Sequence, residues 1–231
     1  MFRRAFLFLA VAAVFFSLGV LARPTLSRLK QQVRTPPPAD FQVFDLTHYT
    51  AKRSHFATLR ETRQVVLLGD SRVAFAEWSE LLERSDTSNR GISGDTTSGV
   101  LRRLPASVPT SGVLCVIQVG VNDLILGGSV EQVVANYRRI VDYLRQEKNA
   151  RVVITSVIPA SEEQPELNRA VHECNQQLVQ LAAASGAQWL DLGPSLSPEG
   201  FLRPEFRSDA VHLNGDGYLR LRDVLAPLLQ P

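Results

Sequence analysis

The sequence predicts an α/β protein, a three-layer α/β/α sandwich whose central parallel sheet has about five strands. Three observations support this prediction. Short apolar runs alternate with longer segments of helical periodicity, and such βαβ units give a parallel sheet with helices on both faces. The run over residues 113–119 is apolar almost throughout, as expected of a strand covered on both faces. Small polar groups also follow the strands, at the edge where parallel sheets bind ligands.

The elements follow one another in regular order after a polar helix predicted over residues 47–61. Short apolar runs predict strands over residues 65–68, 88–92, 113–119, 152–157 and 188–192. Apolar residues three and four positions apart predict helices over residues 73–84, 97–104, 129–147, 165–185 and 215–229. Each strand is therefore followed by one helix, which is the connection that parallel strands require.

The N-terminal part differs in composition from the rest. Residues 5–22 are uncharged and largely apolar, and Arg3 and Arg4 precede them. A run of about 18 apolar residues is just long enough to span a bilayer, whereas a cleaved signal has an apolar region of about 7 to 15. We predict a membrane anchor or signal segment over residues 1–24, a linker over 25–46 and the folded body over 47–231. We expect the folded body to lie outside the cytoplasm, attached to the membrane by the N-terminal segment. The alternatives are that the segment is cleaved and the body is secreted, or that the body faces the cytoplasm.

Charge is distributed unevenly along the chain. Residues 1–60 contain nine Lys and Arg against two Asp and Glu, and the remainder contains sixteen against twenty-one. The body has no basic stripe with interleaved aromatics, so we expect a membrane partner through the N-terminal segment and no nucleic acid. The only cysteines, Cys115 and Cys174, lack metal-ligand spacing. We expect them to be core residues, with a single disulfide as the alternative, and we expect no metal and no cofactor.

Four groups of polar residues fall at the functional edge of the predicted sheet. Their sequences are Gly-Asp-Ser at 69–71, Asn-Arg-Gly-Ile-Ser-Gly-Asp at 89–95, Gly-Val-Asn-Asp at 120–123 and Asp-Ala-Val-His at 209–212. A lone Gly-Asp-Ser would be a weak signal, because Ser also caps helices. Four groups in this order, the first three directly after strands and the last ahead of a helix, are far more specific.

These residue types fit nucleophilic catalysis. The hydroxyl of Ser71 is a weak nucleophile that needs a base, and the imidazole of His212 titrates in the right range. Asp209, three residues earlier, can accept the other imidazole N–H. An oxyanion also needs donors, and the candidates are the backbone N–H groups of Ser71 and Gly94 and the side-chain amide of Asn122.

The four groups together resemble the conserved blocks of SGNH hydrolases, the GDSL-like lipases and acylhydrolases. The resemblance covers about residues 64–229 and implies the flavodoxin-like SGNH fold. It implies Ser71 as nucleophile, Gly94 and Asn122 as oxyanion donors, His212 as base and Asp209 as its carboxylate partner. The group at 89–95 is similar to the branch that contains platelet-activating-factor acetylhydrolase subunits and bacterial thioesterase/lysophospholipases.

Three further residues are candidates for substrate binding. Arg72 stands where the eponymous motif has Leu, and it either favours an anionic substrate group or points to solvent. Phe201 and Phe206 either line an acyl pocket or form an apolar patch that fastens the long loop before Asp209.

The sequence thus predicts a serine-dependent acyl-ester hydrolase that acts through an acyl-enzyme. Its small-molecule substrate would be a lipid, a thioester or an O-acetylated glycan. Two alternatives remain open, which are an O-acyltransferase to a sugar hydroxyl with the same site and a membrane-tethered binding module without turnover. The sequence does not specify the acyl length, the leaving group or the oligomeric state.

Overall fold

A computed structural model of the chain describes residues 41–229 and contains a five-stranded, all-parallel sheet. The strands run in the order β2-β1-β3-β4-β5 across the sheet. Their bounds are Val65–Gly69 (β1), Thr87–Gly91 (β2), Leu114–Gln118 (β3), Arg151–Thr155 (β4) and Gln188–Leu190 (β5). This topology confirms the predicted α/β class, and all five predicted strands are present.

The helices lie in two layers on the two faces of the sheet. Their bounds are Leu46–Thr58 (α1), Ser71–Ala74 (α2), Trp78–Leu81 (α3), Thr97–Ser107 (α4), Val121–Ile125 (α5), Val130–Asp142 (α6), Pro165–Ser185 (α7), Gly193–Leu196 (α8) and Gly215–Leu225 (α9). One apolar cluster joins the sheet to α4, α6 and α7, and a second joins it to α3, α8 and α9. Strands β1 and β3 are buried almost completely because both faces are covered.

The register of the central strands brings the predicted site groups together. Gly69 at the end of β1 pairs with Gly91 of β2 and Gln118 of β3. The three loops that follow these strands therefore begin side by side at the carboxyl edge of the sheet. This is the placement that the sequence predicted for the first three groups.

The helix predicted over residues 73–84 is divided into α2 and α3. The side-chain amide of Asn89 donates to the carbonyl oxygens of Val73, Ala74 and Ala76 at 3.0, 3.3 and 3.0 Å. These bonds satisfy carbonyls that a continuous helix would otherwise pair with its own N–H groups. A partner from β2, which the local spacing could not reveal, therefore ends α2 early.

The described residues are packed from Phe41 onward, six residues before the predicted start of the body at residue 47. Phe41 is 8% exposed and packs in a small apolar cluster with Tyr49, Phe56 and Ile92. The packed domain therefore begins at Phe41 rather than at residue 47. The predicted anchor over residues 1–24, and the linker as far as residue 40, lie outside the described residues. No helix within residues 41–229 is long and apolar enough to cross a membrane.

Candidate active site

Ser71 lies at the first turn after β1, where the chain enters α2. The carboxylate of Asp70 caps this helix by accepting the backbone N–H of Arg72 at 3.0 Å. A side chain at position 69 would collide with the carbonyl oxygen of Gln118, since a Cβ there would lie 2.0 Å from it. Glycine is therefore required for β1 to pack this closely on β3, and the turn places a buried Ser71 at the sheet edge.

His212 and its carboxylate partner belong to one tight loop. One oxygen of Asp209 accepts the backbone N–H groups of Val211 and His212, both at 2.7 Å. The other oxygen lies 2.7 Å from Nδ1 of His212. Partial burial alone would raise the pKa of Asp209. The backbone and side-chain hydrogen bonds from His212 outweigh this effect and lower the pKa from 3.8 to about 2. Asp209 is thus held as a carboxylate that orients the imidazole.

Nε2 of His212 lies 3.0 Å from Oγ of Ser71. With Nδ1 protonated and bound to Asp209, Nε2 is free to accept the serine proton. The ring of Phe75 packs against the imidazole with ring centroids 5.3 Å apart. The structure therefore brings Ser71, His212 and Asp209 together in the order that general-base activation of serine requires.

The predicted oxyanion donors lie on the three adjacent loops. The backbone N–H groups of Ser71 and Gly94 have no hydrogen-bond partner among the described residues. One N–H of the Asn122 side chain donates to the carbonyl oxygen of Asp95 at 2.8 Å, which leaves its second N–H for another acceptor. Gly94 has φ +74°, and a Cβ there would lie 2.9 Å from that of Phe44, so the loop requires glycine.

A network of buried polar side chains holds these loops from the interior of the protein. Arg103 donates to Asp95 at 2.7 Å and to the carbonyl oxygen of Gly69 at 2.9 Å, and both ionic side chains are fully buried. Arg103 therefore ties the loop after β2 to the end of β1, directly before Ser71. Burial raises the pKa of Asp95 to about 6 despite the nearby guanidinium of Arg103. Asp95 organises the loop, as its position beside the predicted site suggested.

A second buried carboxylate connects the loop after β3 to α4. Asp123 accepts the backbone N–H and the hydroxyl of Thr97, the latter at 2.5 Å. Asn136 donates to the same hydroxyl from α6. Burial raises the pKa of Asp123 to about 7, although the bonds from Thr97 oppose the shift. Arg103 and Asn136 were not predicted as site residues, although each is a polar residue at a core-facing position of an amphipathic helix, which is the signal that could have indicated them.

Arg72 neither points to solvent nor faces an open substrate pocket, so both predictions for it are wrong. Its side chain is 1% exposed. The guanidinium donates to the carbonyl oxygens of Val211 at 2.9 Å, Pro159 at 3.0 Å and Ile158. Arg72 thereby fastens the loop that carries His212 to the end of β4, beside the nucleophile.

The two phenylalanines of the long loop differ in their surroundings. Phe206 packs against the apolar cluster beneath α9, and the intervening Leu202 is fully buried in that cluster. Phe201 is half-buried and belongs to none of the apolar clusters of the described residues. These contacts favour the loop-fastening interpretation for Phe206. Cys115 and Cys174 are both buried and free, so the alternative of a disulfide is wrong.

The structure thus combines a three-layer α/β architecture with a hydrogen-bonded series of serine, histidine and aspartate at the carboxyl edge of the sheet. The comparison with known families agrees, because residues 67–220 match the model of the GDSL-like Lipase/Acylhydrolase family. The chain belongs to this family. The resemblance to SGNH hydrolases is thereby confirmed.

The chain is similar to several individual proteins. The alpha2 subunit of platelet-activating factor acetylhydrolase IB from Rattus norvegicus is 28% identical over 172 residues, which span 71% of this chain and 75% of the subunit. N-acylneuraminate cytidylyltransferase from Streptococcus agalactiae is 27% identical over 147 residues, or 64% of this chain, and the match spans only 34% of that enzyme. A GDSL-like lipase structure from Bacteroides thetaiotaomicron superposes with a TM-score of 0.67 at 22% identity, over 80% of this chain and 98% of the lipase.

Proposed function

We propose that this protein is a serine-dependent acyl-ester hydrolase that works through an acyl-enzyme intermediate on Ser71. The observation that supports the proposal best is the pair of hydrogen bonds that joins Oγ of Ser71 to His212 at 3.0 Å and His212 to Asp209 at 2.7 Å. Membership of the GDSL-like Lipase/Acylhydrolase family supports the same reaction class.

In the first half-reaction, Nε2 of His212 accepts the proton of Ser71 while Oγ attacks the ester carbonyl. The bond between the carbonyl carbon and the leaving oxygen then breaks, and the proton passes from His212 to that oxygen. In the second half-reaction, a water gives its proton to His212 and attacks the acyl-enzyme. Oγ leaves with that proton, and the free acid is released.

The negative oxygen of each tetrahedral intermediate requires fixed donors. We assign this role to the backbone N–H groups of Ser71 and Gly94 and to the second side-chain N–H of Asn122. The carbonyl oxygen of Asp95 holds the Asn122 amide. Arg103 ties Asp95 to the end of β1 directly before Ser71, so the donors need no rearrangement during the reaction. The buried ion pair between Asp95 and Arg103 serves catalysis only by positioning.

We propose an acyl ester of a small molecule as the substrate, with a lipid, a thioester or an O-acetylated glycan as candidates. The name of the rat relative denotes an acetylhydrolase, which favours a short acyl group. Attachment to a membrane through residues 1–24 stays a prediction. Fractionation of cells that express the full chain or residues 41–231 tests it, and a full chain found only in the soluble fraction would contradict it.

Hydrolysis of p-nitrophenyl acetate by the full chain and by Ser71→Ala tests the reaction class. We expect turnover by the full chain and a loss of at least about a thousandfold in Ser71→Ala, because nothing else can form the acyl-enzyme. Ser54→Ala is the matched control, since Ser54 is an exposed serine of α1 whose hydroxyl forms no hydrogen bond with another of the described residues. Equal activity of Ser71→Ala and the full chain would refute the proposal.

Reaction with a fluorophosphonate probe gives a second readout. A nucleophilic Ser71 should be labelled stoichiometrically, and Ser71→Ala should not react. A full chain that neither turns over any ester nor reacts with the probe would favour a binding module. Acyl transfer to an added sugar, with little hydrolysis, would favour the O-acyltransferase.

A further inference from the structure

A groove of about 550 Å³ opens between the α2–α3 turn and the first turns of α9. Phe75 forms part of its wall, and the same ring packs on His212 with centroids 5.3 Å apart. The mechanism uses none of the residues that line the groove. Phe75 nevertheless connects the groove to the imidazole of His212, because its ring contacts both.

The groove has an apolar lining that is open to solvent. Phe75 is 51% exposed and Leu219 is 44% exposed, and both are among the few large apolar side chains that are so exposed within residues 41–229. Leu81 and Tyr218 extend this lining. Adjacent exposed apolar side chains in a concave site mark a binding surface, because they gain free energy when a ligand covers them.

Carboxylates surround the apolar lining. Glu77, Glu80, Glu83 and Asp216 line the groove, and none of them forms an ion pair with another of the described residues. The single cation of the lining, Arg222, is paired with Asp223 at 2.7 Å, outside the groove lining. The groove therefore presents a net negative charge, to which a cationic ligand is complementary.

The direction of proton transfer decides which part of the ester reaches this groove. After His212 takes the serine proton, it must give that proton to the leaving oxygen, so the leaving group lies on the imidazole side. The carbonyl oxygen is assigned to the donors of Ser71, Gly94 and Asn122, so the group next to His212 is the leaving group and not this oxygen. Phe75 lines the groove and also contacts His212. The groove therefore lies on the side of the alcohol or thiol portion of the ester.

We propose that this groove is the leaving-group subsite and that it selects an apolar alcohol or thiol carrying a positive charge. Apolar surface on Phe75 and Leu219 contacts the carbon skeleton, and the ring of Phe75 also attracts a cation over its face. The carboxylates stabilise the charge. This inference rests on the proposed ester hydrolysis and names the substrate class of the same site.

Three acetate esters with leaving groups of similar size test the charge preference. Acetylcholine carries a cation, 3,3-dimethylbutyl acetate is its neutral isostere, and 3-sulfopropyl acetate carries an anion. All three give the same acetyl-enzyme, so differences in kcat/KM report the acylation step alone. At low salt, we expect kcat/KM to be about tenfold higher for the cation than for the neutral ester and lowest for the anion, from four screened charges roughly 6 Å away.

Charge-removal variants localise the effect. In Glu77→Gln/Glu80→Gln, the preference for the cation over the neutral ester should fall about threefold, because half of the groove's carboxylates are neutral. The matched control is Glu147→Gln/Glu173→Gln, which removes two charges on the opposite face of the sheet and should keep the full preference. A rise in salt to 1 M should diminish the preference in the full chain as well.

The variant Phe75→Ala tests the apolar contact. It should lower kcat/KM for acetylcholine and the neutral isostere about tenfold more than for methyl acetate, whose leaving group is too small to enter the groove. Ratios within one variant cancel any change in the alignment of His212. Val179→Ala, an exposed apolar residue of α7, is the control and should leave the ratios unchanged.

Equal kcat/KM for the three esters, or equal preference in the groove and control double variants, would overturn the inference. A shift in acyl-length preference in Phe75→Ala, without a change in leaving-group preference, would assign the groove to the acyl chain instead and also overturn it. Hydrolysis of methyl acetate and labelling by the fluorophosphonate probe are measured in parallel. Their absence in the full chain would indicate failure of the proposed function rather than of this subsite.

Discussion

Replacement of Arg72 by methionine removes a buried guanidinium from between the nucleophile and the loop that carries His212. The side chain is 1% exposed and donates to three backbone carbonyls, those of Val211, Pro159 and Ile158. Methionine fills a similar volume but donates no hydrogen bond. We therefore expect both the stability of the fold and the alignment of His212 to suffer.

The loss can be worked out from the three bonds. The bond to Ile158 is fully buried, so its carbonyl oxygen stays unpaired in the variant, at a cost of about 1 to 3 kcal/mol. The bonds to Val211 and Pro159 are partly buried, so water can replace the donor and the cost is about 0.5 kcal/mol each. The sum is about 3 kcal/mol of unfolding free energy. Lysine, with a shorter reach and no planar fork, should recover about half of it.

Arg90→Met is the matched control. Arg90 is also a buried arginine that donates to two backbone carbonyls, but those belong to Ser107 and Asn89, away from the loop of His212. Urea unfolding followed by circular dichroism should place both variants below the full chain in stability. Only Arg72→Met should also lose kcat on p-nitrophenyl acetate, by about tenfold with KM little changed, because the imidazole is displaced.

Two results would refute this reasoning. If Arg72→Met unfolds at the same urea concentration as the full chain, the three hydrogen bonds contribute no net stability. If both arginine variants lose equal stability and equal kcat, then Arg72 has no specific role in positioning His212.

Three further predictions concern the site and its support. Asp209→Asn should lower kcat on p-nitrophenyl acetate at least about a hundredfold, because the amide cannot stabilise the charged imidazole of His212; a loss of kcat below threefold would contradict the role. Asn122→Ala should lower kcat on p-nitrophenyl acetate about a hundredfold with KM retained, as expected for an oxyanion donor, and a pure KM effect would exclude it. Burial raises the pKa of Asp123 from 3.8 to about 7, so its stabilising contribution is complete below pH 3.8 and lost as pH rises through about 7. The stability difference between the full chain and Asp123→Asn should therefore shrink from pH 5 to pH 8 in urea titrations, and a constant difference would contradict the shift.

The fold and the reacting groups were predictable because they depend on patterns that are local in sequence. A run such as residues 113–119 favours a strand covered on both faces, because it is apolar almost throughout and is bounded by glycines. Asp209 and His212 stand three residues apart, and the structure joins them in one loop through bonds of 2.7 Å. The pairing of this loop with Ser71 required only that both lie at the carboxyl edge of the sheet.

The role of Arg72 was not predictable, because its partners are distant in sequence. Its bonds reach residues 86, 87 and 139 positions away. Backbone carbonyls are present at every residue, so the sequence carries no mark of which ones an arginine will bind. The early end of α2 has the same cause, since the amide that caps it comes from Asn89 on a neighbouring strand. Contacts of this kind follow from the assembled fold and not from periodicity.

The position of Arg72 also explains why a charged residue can stand beside the nucleophile. The proposed reacting groups come from two segments, which are Ser71 after β1 and the loop of His212, 141 residues apart in sequence. Asp209 fixes the imidazole only within its own loop, so a separate contact must hold that loop against β1. Arg72 makes this contact from the residue next to Ser71, so any movement of the loop relative to the nucleophile must break hydrogen bonds to a buried cation. The distance of 3.0 Å between Ser71 and His212 is therefore maintained by a neighbour of the nucleophile, through the backbone of Val211.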